Sequence, residues 1–116
     1  MIERRTKLRW LGLLLLSGAL TASLGCTSRK VVDEATLANG KTVFEAYCIS
    51  CHKDGGNVIN PQKKLSRSDR EANGIRTPDD IINVMRHPGP GMPKFDPGTI
   101  PDDKADAVAQ YVISNF

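Results

Sequence analysis

Residues 48–52 read Cys48-Ile49-Ser50-Cys51-His52, a Cys-x-x-Cys-His run from which the rest of the chain can be interpreted. The two intervening residues let the backbone curl as one helical turn, which turns both sulfurs to one side with the imidazole directly behind them. This is the attachment signature of c-type haem. Cys48 and Cys51 add across the two vinyl groups as thioethers, and His52 supplies one axial bond to iron. Two other chemistries use closely spaced cysteines. Zinc wants four ligands, and past His52 the chain offers only His87 and carboxylates. A thioredoxin-like pair follows a strand in a βαβ unit, whereas the residues before Cys48 read as helix. The run therefore predicts one covalently attached haem c.

Outward from the motif the apolar residues recur at helical spacing, and no convincing alternating strand is present. Leu37, Gly40, Lys41, Phe44 and Tyr47 outline a first helix from about Asp33 to the motif. Gly40 inside it costs about 1 kcal/mol relative to alanine and asks for a packing reason. Gly55-Gly56 stops the helix after His52. A loop through Asn60-Pro61 follows, and a backbone carbonyl near these two residues is the expected support for the His52 ring. A short helical piece spans Ser66 to Ala72.

Thr77-Pro78-Asp79-Asp80 is a well-formed helix start, with a capping hydroxyl, a proline in the first turn and two carboxylates at the positive end of the dipole. Ile81, Ile82, Val84 and Met85 give this helix an apolar face, and Pro88 ends it. A last helix from about Asp102 to Ser114 places Ala105, Val108, Ala109 and Val112 on one face, with Tyr111 beside them. The fold class is all-α, about four short helices wrapped around one haem.

The first residues have a different character. Arg4, Arg5, Lys7 and Arg9 precede an apolar stretch from Trp10 to Leu20, too short for a membrane span of about 20 residues. Residues 1–25 are read as a signal peptide, residues 26–33 as a tether and residues 34–116 as the domain. Ser23-Leu24-Gly25-Cys26 resembles the processing site of bacterial lipoproteins, although Ser23 stands where leucine is usual. Three cysteines less the two of the motif leave Cys26 without another role, so it is the expected lipidation site. The chain is thus expected in the periplasm or cell envelope, held to a membrane by lipid.

Removing the leader also corrects the charge. The full chain carries +3, but without residues 1–25 it holds twelve basic and twelve acidic groups. Neutrality gives no reason to expect a nucleic-acid partner. Residues 53–76 hold six basic and three acidic groups, and residues 77–116 hold three basic and six acidic. This asymmetry is either an ordinary solvated surface or a dipole that orients the molecule toward charged redox partners.

The second axial bond decides between electron transfer and reactive chemistry. Met85, His87 and Met92 are the strong donors left. Met85 belongs to the apolar face of its helix and reads as core, and His87 stands at a helix end. Met92 lies in the irregular loop His87-Pro88-Gly89-Pro90-Gly91-Met92-Pro93, where two prolines can hold a thioether near iron without helical geometry. It is the candidate distal ligand.

From Leu37 to Phe116 the chain resembles class I cytochromes c, especially the small photosynthetic single-haem carriers and related bacterial cytochromes. The residues that carry the likeness are Leu-Ala-Asn-Gly-Lys-Thr-Val-Phe at 37–44, Gly-Gly-Asn-Val-Ile at 55–59, Gly-Met-Pro-Lys-Phe at 91–95 and Ala-Val-Ala-Gln-Tyr-Val at 107–112. The resemblance implies a close crossing of first and last helices at Gly40, with Phe44, Val108 and Tyr111 beside it. It implies a carrier of single electrons between redox proteins outside the cytoplasm, and no enzyme. A relay subunit of a larger respiratory or extracellular electron-transfer complex is the alternative, and a haem peroxidase or gas-sensing domain a weaker one.

Overall fold

Asp33 opens the first helix by accepting hydrogen bonds from the backbone N–H of Thr36 (2.9 Å) and its hydroxyl (2.7 Å). The computed structural model describes residues 31–116; the expected signal peptide, the expected lipidation site Cys26 and most of the expected tether lie outside the described residues. Helix α1 runs Glu34–Tyr47, and α2, Ile49–His52, follows directly as the turn of the haem motif. After a 3₁₀ turn at Lys53–Gly55 and a long loop come α3 (Arg67–Ala72), α4 (Pro78–Arg86) and α5 (Asp102–Asn115). No strand occurs among the described residues, as the helical spacing predicts.

Helix α4 starts where the sequence places it. The Thr77 hydroxyl accepts from the backbone N–H of Asp80 (3.2 Å), and the Asp80 carboxylate accepts from that of Thr77 (2.8 Å), a reciprocal capping box. Helices α1 and α5 pack along one another, and α4 packs against α5. Their contact buries Val43 and Phe44 from α1, Met85 from α4, and Ala105, Val108 and Val112 from α5, together with Phe95 and Ile100 from the loop between α4 and α5.

The crossing of α1 and α5 depends on Gly40. A β-carbon there would overlap the carbonyl oxygen of Ala107 and come within 2.7 Å of the Tyr111 β-carbon. Phe44 and Tyr111 flank the crossing with ring centroids 5.5 Å apart. Phe116 closes the end of the molecule against Phe44 (5.4 Å), and its carbonyl accepts from the backbone N–H of Arg67 (2.8 Å). The frame leaves one side of the bundle open between α2, α3 and the loop after α4.

Candidate haem site

The motif forms the expected turn. The Cys48 carbonyl accepts from the backbone N–H groups of Cys51 (3.1 Å) and His52 (2.9 Å), which closes α2 on itself. Immediately afterwards the chain reverses through two left-handed residues, Asp54 (φ 53°) and Gly55 (φ 75°). Gly55 has no substitute here, because a β-carbon would also lie 2.6 Å from the Phe116 ring.

The reversal returns the Gly56 carbonyl to the histidine, and His52 Nδ1 stands 2.8 Å from Gly56 O. Donation from Nδ1–H to this carbonyl selects the tautomer whose Nε2 carries the free lone pair that iron requires. The support was expected near Asn60-Pro61 and is not there. The Asn60 carbonyl is taken by the backbone N–H of Lys63 (2.9 Å), and the backbone reversal makes a residue four positions after the histidine the nearer acceptor.

Asn57 shapes the loop that follows. Its side-chain oxygen accepts from the backbone N–H groups of Ile59 (3.0 Å) and Asn60 (2.8 Å), and its amide donates to the Lys63 carbonyl (2.9 Å). The Ile59 side chain then covers Gly91. A β-carbon at Gly91 (φ 92°) would lie 2.6 Å from Ile59 Cγ2, so the loop after the motif and the methionine loop are in direct contact.

A cleft of about 360 Å³ lies between these segments, within the range of small-molecule and cofactor sites. Cys48, Cys51, His52 and Met92 all line it, as do Met85 and His87. Met92 is half-buried against the core, Met85 is 3% exposed within it, and His87 is an exposed residue capping α4. The cleft brings every donor named from the sequence to one place.

Its chemistry fits a haem. Phe44, Ile81, Val84, Val108 and Val112 present an apolar wall, and the two half-buried cysteines stand unpaired beside the imidazole. Burial, reinforced by the neighbouring Cys51, pushes the Cys48 thiol up to about 11. Cys48 is therefore a neutral thiol at neutral pH.

Sequence reasoning did not find two anchors of the methionine loop. Phe95 N–H donates to the Met85 carbonyl (2.9 Å), and Arg86 Nη1 donates to the Phe95 carbonyl (2.7 Å). The second Arg86 terminal nitrogen bonds Asp102 at 2.7 Å. The Met-Pro-Lys-Phe spacing gives no sign of these contacts. Arg86 itself carries only the signal of a basic group in the last turn of α4.

A strand-free bundle that gathers a Cys-x-x-Cys-His turn and a methionine loop around one apolar cleft defines a small class I c-type cytochrome. The family model described as cytochrome c oxidase, cbb3-type, subunit III matches residues 35–112. Cytochrome c6 of Cyanidium caldarium is 36% identical over 96 residues, covering 83% of this chain and 86% of that protein. Cytochrome c6 of Parathermosynechococcus lividus is 39% identical over 79 residues, covering 68% and 90%. Among solved structures, OmcF, outer membrane cytochrome F from Geobacter sulfurreducens, superposes with a TM-score of 0.65 at 45% identity, covering 66% of this chain and 98% of that one.

The chain belongs to the family of cytochrome c6-like, cbb3-type cytochrome c domains. It is an exported single-haem electron carrier that holds one haem c covalently and works with redox partner proteins.

Proposed function

We propose that in this carrier Cys48 and Cys51 form the thioethers, and that His52 and Met92 are the two axial ligands. The observation that carries the reading is the convergence of all four residues on one cleft. Met92 is preferred to Met85 because the latter is packed into the core, and to His87 because that residue is exposed at a helix end. When bound, the haem supplies a one-electron ferric/ferrous couple.

The chain's own residues do the rest. The Gly56 carbonyl orients the imidazole, and Arg86 and the Met85 carbonyl hold the far end of the methionine loop. The apolar wall excludes water. With His52 and Met92 both holding it, the haem would offer no site for a substrate and would supply outer-sphere electron transfer rather than enzymatic chemistry.

Residues 1–25 act as a signal peptide, Cys26 is lipidated, and residues 26–33 tether the domain of residues 34–116 to a membrane of the cell envelope. The basic and apolar leader and the spare third cysteine support this. So does the name of the 45% identical relative, outer membrane cytochrome F. The relay-subunit alternative is not favoured, because the likeness covers nearly the whole of a single small cytochrome.

Intact mass and absorption spectra of the purified protein test these assignments together. The mass should show one haem on the peptide and acyl chains on Cys26. The ferric spectrum should carry the faint long-wavelength band of methionine-bound iron and lose it in Met92→Ala. Survival of the band in that variant would remove Met92 and promote Met85.

A further inference from the structure

Arg70 is the single charged side chain buried among the described residues, at 4% exposure. It lies on α3 and lines the cleft that holds the four candidate haem residues. Its Nε donates to the Leu65 carbonyl (2.8 Å). Among the described residues its two terminal nitrogens, Nη1 and Nη2, meet no protein acceptor, and neither is a sealed, unsatisfied atom.

Its acidic neighbours are otherwise engaged. Glu71 bonds Arg67 at 2.7 Å, and Asp69 bonds the Ser66 hydroxyl. Burial draws the Arg70 pKa below its ordinary value, opposed by the charge of Glu71, yet a guanidinium stays protonated at neutral pH.

A largely buried cation whose terminal nitrogens open only into the cleft, with no carboxylate beside them, suits an anion bound there. Haem c brings two propionate carboxylates on an otherwise apolar ring. The other cations lining the cleft, Lys63 and Lys64, are exposed and hydrated, while Arg70 alone is buried. The planar guanidinium fork also suits a carboxylate, and Nε is already committed to the main chain, which leaves Nη1 and Nη2 to bind it.

We infer that Arg70 is a positioning residue that binds a haem propionate through Nη1 and Nη2 while its Nε holds the Leu65 carbonyl. This deepens the haem reading above and rests on it. The consequence is electronic as well as structural. A buried cation, and a propionate whose charge it neutralises, both favour the iron state of lower positive charge. Arg70 therefore holds the reduction potential up.

Redox titration of the holoprotein and two variants tests this. Arg70→Gln keeps an N–H donor for Leu65 and loses the charge; Arg70→Lys keeps the charge. The potential should shift downward in Arg70→Gln and stay near the parent value in Arg70→Lys. An unchanged potential in Arg70→Gln overturns the inference, and so do equal downward shifts in both variants, which loss of the Leu65 bond alone would give.

If Arg70→Gln yields no holoprotein, a structure of the parent holoprotein decides. Guanidinium nitrogens within hydrogen-bond distance of a propionate oxygen support the inference, and propionates bonded only to other groups overturn it. Failure of the haem reading itself would look different, as a parent protein with no covalently bound porphyrin.

Discussion

At Gly40 the absence of one methyl group determines how closely α1 can approach α5. Glycine in a helix interior ordinarily costs about 1 kcal/mol against alanine, so Gly40→Ala should help α1 in isolation. In the folded domain the added carbon meets the Ala107 carbonyl, and a main-chain atom cannot rotate away. Overpacking of this kind costs about 1–3 kcal/mol and acts on two helices at once, so it outweighs the propensity gain. Gly40→Ala is expected to lower the denaturant midpoint of the holoprotein. A raised midpoint would mean that the crossing is looser than described. Gly40 was legible in the sequence as an anomaly needing a packing reason, and that reason proved to be the crossing.

At the scale of elements, the loop between α4 and α5 is an irregular segment held at its far end. Arg86, with a side chain 12% exposed, donates to the Phe95 carbonyl and to Asp102, while Phe95 N–H reaches back to the Met85 carbonyl. The Asp102 carboxylate is 85% exposed, so its ion pair contributes little. The shielded, charge-assisted bond to Phe95 contributes most, about 1.5–3 kcal/mol. Arg86→Met keeps the aliphatic stem and deletes both bonds. The methionine–iron band of this variant should disappear at a lower denaturant concentration than the helical circular-dichroism signal. Coincident loss of the two signals at the parental midpoint would show that Arg86 does not anchor the loop. Pro90 and Pro93 advertise stiffness in this loop, but prolines restrict a chain only locally and do not say where it is tied.

At the scale of the whole molecule, turn-making carboxylates make stability sensitive to acid. Asp33 and Asp96 are solvent-exposed and Asp80 is half-buried, and all have pKa values held below the ordinary 3.8. Thr36 is the chief cause for Asp33, the backbone N–H of Arg76 for Asp80, and that of Thr99 for Asp96. A carboxylate with a depressed native pKa binds fewer protons when folded than when unfolded. Its stabilisation is complete above the unfolded value and is lost as pH falls through the native value. Denaturant midpoints should therefore hold steady near about pH 5 and fall below about pH 4, with a shallower fall in Asp80→Asn. An identical slope in that variant would rule out Asp80 as a contributor. Because these groups begin α1, begin α4 and shape the turn before α5, acid should loosen the whole frame around the cleft rather than one corner.

The chain alone determined what neighbouring residues can decide among themselves. The Cys-x-x-Cys-His turn, the Thr77 cap, the helix stop at Pro88 and the class of cofactor all depend on contacts across a few positions, which spacing reveals. Tertiary structure alone decided that Gly56 rather than a residue near Asn60 supports His52, that Arg86 ties Phe95 to α4, and that Arg70 is buried facing the cleft. These outcomes turn on backbone reversal and on surfaces brought together from distant segments. A side chain's burial is a property of its neighbours in space, and the linear order of residues does not record it.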